Sequence, residues 1–196
     1  DMREALCDLI QMVGLKVLTF DSGQAFLDAF DPGPPSCLVL DVRMPGMSGL
    51  ELQEELAAMS PGLPVIVLTG HGDVPMAVRA MKVGAFDFIE KPFRNDHLLD
   101  RVQKAVRRSI RDVELHARDM ETKNRIAQLT PREHQVLELL IASETNKTIA
   151  HHLGVSEKTV EFHRANVMRK MKAKSLVDLV INVQTQGQPR ENAYFI

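Results

Sequence analysis

Apolar positions along the first hundred residues fall into two alternating patterns. Short runs at 17–20, 37–41, 65–69 and 86–90 are rich in β-branched and other large apolar side chains and have the length of strands. Between them, 3–13, 22–30, 49–59 and 74–83 carry apolar residues three or four apart, mostly with Gly or Pro at an end, as amphipathic helices do. The predicted order, α-β-α-β-α-β-α-β, is that of a doubly wound α/β domain around a parallel sheet. Such a sheet ordinarily begins with a strand, so the pattern starts one strand late.

From 93 to 130 there is neither Gly nor Pro, and helix-forming residues dominate, which predicts an unbroken helix of several turns. Leu99, Val106, Val113 and Met120 recur every seven residues, while the companion positions Val102, Ser109, His116 and Lys123 are too polar for a committed coiled coil. An amphipathic final helix running into a solvated linker fits better than a parallel coiled coil in a dimer. After Pro131 the pattern is wholly helical, at 132–142, 147–153, 157–171 and 176–183. Asn146, Gly154-Val155-Ser156 and Lys174-Ser175 separate these helices, and Ser156 reads as an N-cap. The expected organisation is an α/β domain over 1–107, a helical linker over 108–128 and an all-α domain over 129–196. The polar tail of that last domain, closing on Ala193-Tyr194-Phe195-Ile196, has no assignment.

Composition narrows the class. With 196 residues, 44% hydrophobic and 26% charged, and no apolar run longer than a strand, the chain is neither disordered nor collagenous and has no candidate membrane helix. Cys7 and Cys37 lie in apolar stretches without paired spacing, so two buried thiols in a reducing compartment are expected. No signal peptide is visible at the start, and a cytoplasmic location is the expectation. The net charge of −2 conceals opposite halves: residues 1–100 hold seven Lys+Arg against fifteen Asp+Glu, and 101–196 hold seventeen against eleven. A basic half suits a polyanion such as nucleic acid, and an acidic half suits cations or a carboxylate site.

Ligand chemistry in an open parallel sheet gathers outside the carboxyl ends of the strands. Three predicted strands deliver reactive groups there: Asp41, Thr69 and Lys91. A carboxylate can attack a phosphoryl group, an ammonium can neutralise its oxygens and a hydroxyl can hydrogen-bond it. Each alone is weak, since an Asp after a strand is more often a turn residue or helix cap. The trio is more telling than its members.

The segment LVLDVRMPGMSGLEL at 38–52, with Thr69 placed 28 residues after Asp41 and Lys91-Pro92 placed 50 after it, resembles the receiver domain of two-component response regulators. HGDVPMAVRAMKVGAFDFIEKPF at 71–93 looks most like the FixJ-type subfamily. The resemblance implies an α/β flavodoxin-like fold in which Asp41 accepts a phosphoryl group from a sensor histidine kinase. It implies that Thr69 and Lys91 bind that group, that Phe88 is an aromatic switch residue, and that Mg²⁺ is held by Asp41 and the main-chain carbonyl of Arg43. Receivers also carry an acidic pair after their first strand, which the alignment places upstream of Asp1; that strand and those ligands are expected there. Asp1 itself falls at the start of the first helix. Phe88 equally suits a plain core position.

The third helix of the basic half reads SEKTVEFHRANVMRKMKAKS at 156–175. Between Asn146 and Lys174 there are seven Lys+Arg against two Glu, an excess suited to phosphate but shared by any solvated basic helix. LTPREHQVLELLIASETNKTIAHHLGVSEKTVEFHRANVMRKM at 129–171 resembles the helix-turn-helix domain of the LuxR/NarL/FixJ class. That resemblance puts the helix from Glu157 in the major groove of double-stranded promoter DNA. Phosphates fall to Lys147, Lys158 and Thr159, with Arg169 and Lys170 as further cations, and bases to Glu161, Phe162, Ala165 or Asn166. Glu161 is the sharpest candidate, because a carboxylate accepts from cytosine N4, though it is equally placed to brace Arg164. His163 is expected packed or facing phosphate.

The expected function is a transcription factor activated by phosphorylation, not an enzyme beyond assisting its own phosphorylation and dephosphorylation. It would form a homodimer through the 74–83 helix and the 86–90 strand, with RNA polymerase as a further partner. The alternative is a LuxR-type regulator whose α/β domain answers to a small molecule or simply dimerises. A metabolic phosphotransferase is weakest, since no Gly-rich phosphate loop is present.

Overall fold

A computed structural model of the chain describes residues 2–60, 62–70 and 74–184. The expected helix start at Asp1 and the polar tail beyond Gln184 lie outside the described residues. The chain divides into two compact units, Asp1–Glu114 and Leu115–Ile196.

In the first unit β1 (Leu38–Asp41), β2 (Val65–Thr69) and β3 (Asp87–Glu90) form a parallel sheet in the order β1-β2-β3. Every residue of β2 is buried, as a parallel strand covered on both faces must be. The two-residue period sorts its side chains. Val65 and Val67 meet Leu40 with Leu52 and Leu56 of α3 (Gly49–Met59) and Ala80 of α4 (Val74–Lys82). Ile66 and Leu68 meet Ile10 of α1 (Met2–Gln11) and Leu98, Val102 and Ala105 of α5 (Asn95–Ala127) on the other face. Phe26 of α2 (Gly23–Ala29) packs on the first of these cores. Ser22 caps α2, and Ser48 caps α3 in a reciprocal capping box with Glu51.

The run at 17–20 is not a strand, contrary to its pattern. In the flavodoxin-like order the strand preceding α1 lies between this segment and β1. A β-branched run becomes a strand only when a neighbour completes its ladder, and no described residue supplies that neighbour. Cys7 and Cys37 are free and half-buried rather than fully buried, and burial pushes the Cys37 thiol up to about 11.

The predicted long helix is α5, 33 residues without a break. Leu99 and Val106, the first two heptad positions, pack into the first unit's core, whereas Met120 is exposed. The stretch 108–128 is not uniformly solvated: Ser109 is buried and its Oγ accepts the Ser36 N–H at 3.0 Å, while Arg125 donates to the Met171 carbonyl at 3.2 Å.

The second unit contains α6 (Pro131–Ile141), α7 (Asn146–Leu153), α8 (Glu157–Lys170) and α9 (Leu176–Gln184). Val136, Leu140, Ile149, Val160, Val167, Met171 and Leu179 form a core with essentially no exposure. Gly154 closes α7 at φ +64°, a left-handed conformation that favours glycine, and Ser156 then caps α8 as expected. Thr130 and Glu133 form a capping box on α6. Glu133 is only 4% exposed, and its Oε2 also accepts from Lys170 Nζ at 2.6 Å.

The Lys170 ammonium and the Thr130 N–H beside Glu133 hold its carboxyl down at about 2, well below the ordinary 4.5. A depressed acid contributes stability that is fully present above the unfolded value and is lost as pH falls through the folded value. Stability to heat, followed by circular dichroism, should therefore fall as pH drops from about 4.5 to 2. Glu133→Gln should lower the unfolding temperature at neutral pH and flatten this acid limb; an unchanged limb would remove Glu133 from the pH dependence.

Candidate functional site

The sheet register determines what meets at its carboxyl end. Asp41 ends β1 opposite Leu68, and Thr69 ends β2 opposite Glu90. Two main-chain bonds extend the ladders one step further, Val42 N–H to the Leu68 carbonyl at 2.9 Å and Lys91 N–H to the Thr69 carbonyl at 2.7 Å. Lys91 can then reach across β2, and its Nζ donates to Asp41 Oδ2 at 2.6 Å. Asp41 Oδ1 accepts the Arg43 N–H at 3.1 Å, which fixes the carboxylate plane. The Asp41 side chain is 39% exposed and that of Lys91 only 15%, so the carboxylate is open to an incoming group while the ammonium is shielded beside it.

The sequence-predicted trio is brought to one edge. Thr69 is buried on the central strand, with its hydroxyl donating to Met76 Sδ at 3.8 Å in the first turn of α4. Phe88 stands opposite Val67 on β3, half-buried against the core under α3 and α4. Arg43 is exposed in the turn after β1. The Asp41 carboxylate and the Arg43 carbonyl are hard oxygen donors of the kind Mg²⁺ takes, completed by water. No group of three His, Cys, Asp or Glu among the described residues could hold a metal.

Gly49 is a residue whose role the sequence pattern did not reveal. Its N–H donates to the Val42 carbonyl at 3.0 Å, and a Cβ there would lie 2.2 Å from the Asp41 carbonyl oxygen. The start of α3 sits directly against the chain that carries Asp41. Its only sequence signal is a glycine just after a serine N-cap.

In the second unit, Lys158, Glu161, Phe162, Ala165 and Arg169 are all exposed and lie three or four apart on one face of α8. Val160, Val167 and Met171 point into the core. Lys147 is exposed on the first turn of α7. Thr159 is half-buried in the α8 cap, where its N–H donates to Ser156 Oγ at 3.1 Å. Asn166 Oδ1 accepts from Arg169 at 3.2 Å. Arg164 donates to Asn146 Oδ1 at 3.0 Å, so it braces α7 and leaves Glu161 to solvent. One expectation needs correction. Lys170 is not presented to phosphate: its Nζ bonds Glu133 and, at 3.1 Å, the Gln128 carbonyl, an internal clasp between residues 37 apart that no local pattern announces. His163 is half-buried, with its Nδ1 sealed from water.

Gly49→Ala should destabilise the first unit by about 1–3 kcal/mol, the usual cost of overpacking, because main chain rather than a flexible side chain opposes the new methyl. The urea midpoint measures this; a midpoint equal to that of the parent would show that β1 and α3 can move apart freely.

A family model of the response regulator receiver domain matches residues 1–103, and one of bacterial regulatory proteins of the luxR family matches 127–183. The transcriptional regulatory protein FixJ of Azorhizobium caulinodans is 51% identical over 179 residues, covering 91% of this chain and 85% of that protein. Nodulation protein W of Bradyrhizobium diazoefficiens is 46% identical over 186 residues, covering 95% and 82%. Among solved structures, the response regulator StyR has a TM-score of 0.83 at 45% identity over 94% of each chain. Full-length FixJ from B. japonicum has a TM-score of 0.55 at 46% identity over 94% and 91%. Receiver domains generally bind Mg²⁺ and imply a sensor kinase as partner, and a LuxR-type domain implies DNA; control by a small molecule is not favoured. With both of its domains matched in order, the chain belongs to the two-component response regulators of the FixJ type, transcription factors activated by phosphorylation that join an α/β flavodoxin-like receiver to a LuxR-type helix-turn-helix domain.

Proposed function

We propose that Asp41 is the phosphoacceptor, and the observation that carries this is the 2.6 Å contact between its carboxylate and the shielded Lys91 ammonium. An Asp41 oxygen forms a bond to phosphorus as the phosphorus–nitrogen bond of the kinase's phosphohistidine breaks. The imidazole leaves with the electron pair and takes a proton. Lys91 lies where it neutralises the oxygens of the transferred group, and the Thr69 hydroxyl bonds one of them. Mg²⁺ would be held by the Asp41 carboxylate and the Arg43 carbonyl, with the acidic ligands expected upstream of Asp1, and would supply positive charge to the same oxygens. Phe88 adjusts its ring as Thr69 moves. Phosphorylation then favours a homodimer through α4 and β3, which contacts RNA polymerase at a promoter. The site of action is the cytoplasm; no described helix is long and apolar enough to cross a membrane.

DNA is read by the exposed face of α8. Lys147, Lys158, Thr159 and Arg169 meet phosphates, and Glu161, Phe162, Ala165 and Asn166 meet bases. The exposure of Glu161, with Arg164 committed to Asn146, supports a base contact over an internal brace.

Incubation with a small phosphodonor and Mg²⁺ should add one phosphoryl mass to the chain and none to Asp41→Asn; an equal gain in the variant would exclude Asp41. Lys91→Ala should slow the gain far more than Lys82→Ala, which removes a charge on α4 away from the strand ends. Loss of a charge that stabilises phosphoryl oxygens typically costs a few kcal/mol.

Binding measured against salt separates the two roles on α8. Lys158→Ala should weaken all sequences alike and reduce the salt slope by about one charge. Glu161→Ala should relax preference at one base position by roughly 1–3 kcal/mol. An unchanged consensus in Glu161→Ala would take the carboxylate out of base reading.

A further inference from the structure

We propose that Phe162 is a specificity-determining residue that reads the C5 methyl group of a thymine in the major groove. This rests on the reading of α8 as the DNA-recognition helix.

The side chain is 63% exposed, and it is not part of the second unit's core, which is built from aliphatic residues and Met171. Among the described residues, five other phenylalanines are used for packing: Phe26, Phe30 and Phe88 lie against one receiver core, and Phe86 and Phe93 against the other. A single exposed apolar residue is ordinary on a protein surface. The setting of Phe162 is not ordinary, because the ring stands on a mostly charged exposed face of a helix, between Lys158 one turn before and Arg169 two turns after, with only the small Ala165 as another apolar side chain there. Its ring is also oriented. His163, itself wedged into the domain, meets it edge to face with centroids 5.6 Å apart.

Phosphates and the cations that grip them have no use for an aromatic ring. The apolar group that the major groove offers is the thymine methyl, and apolar side chains contact it. Glu161, exposed beside Phe162, accepts from cytosine N4, so the two residues would specify adjacent pyrimidines by different chemistry, a hydrogen bond and a methyl contact.

The test uses the full chain with a small phosphodonor and Mg²⁺. A binding site is selected from random duplexes, and each of its thymines is then replaced singly by deoxyuridine, which removes only the methyl. At one thymine per half-site the parent should lose about fourfold in affinity, the equivalent of one buried methyl. Phe162→Ala should be indifferent to that replacement while keeping the salt slope of the parent, and Phe162→Leu should restore part of the dependence. A merely structural Phe162 would not make the effect of one methyl depend on its side chain. Specific binding with no methyl dependence, or with equal dependence in the parent and Phe162→Ala, overturns this proposal alone. A parent chain that does not bind DNA overturns it together with the reading beneath it.

Discussion

The parallel ladder through β2 is the constraint on which the receiver site depends. Its five buried residues hold β1 and β3 in fixed register, and that register decides which side chains emerge together at the carboxyl edge. Asp41 ends β1 and Lys91 follows β3, 50 residues apart in sequence and at strands that do not touch each other, yet their charged atoms meet at 2.6 Å. Neither side chain could hold the other in place without β2 between their strands. The short contact is charge-assisted, but partial exposure of the carboxylate limits its contribution to stability. Its geometry has a chemical use: an oxygen open to solvent lies beside an ammonium that is not.

The second unit solves a different problem. A small helical domain with a cationic surface must keep some positive charge inward to hold its helices and leave the rest outward. Lys170 and Arg164 are turned to Glu133 and Asn146 respectively. Lys158 and Arg169 remain on the free face. Charge counting along α8 cannot divide these groups, since all four are cations within thirteen residues of one another. The division follows from which helix face looks toward α6 and α7, as the contacts of Val160 and Val167 with the core make plain.

Much of this was legible in the sequence, for identifiable reasons. Runs such as 65–69 have strand length and composition, and their buried counterparts appear where the pattern put them. The cap at Ser156 acts within a few positions of itself, so its role follows from local order. The illegible parts are non-local. The segment 17–20 has the composition of a strand, but a strand needs a neighbour, and composition does not report one. The Glu133–Lys170 clasp joins two helices whose proximity only the packed domain creates. Gly49 looks like any glycine at a helix start until the Asp41 carbonyl is seen where its Cβ would be.

The arrangement around Asp41 also bears on how a phosphoryl group could alter the receiver. In the chain as described, both carboxylate oxygens are engaged, one by Lys91 and one by the Arg43 N–H, and the Thr69 hydroxyl turns to Met76 at the start of α4. On the proposed mechanism, phosphorylating one oxygen removes an acceptor and introduces several new ones a bond length further out. Lys91 follows the charge, and Thr69 exchanges a weak bond to sulfur for a strong one to a phosphoryl oxygen. Charge-assisted bonds are roughly twice as strong as neutral ones, so the exchange favours the phosphorylated arrangement by about 1–2 kcal/mol. That amount suffices to move a two-state population substantially, and it acts where α4 begins, so the helix proposed for the dimer contact is the first element to feel the change.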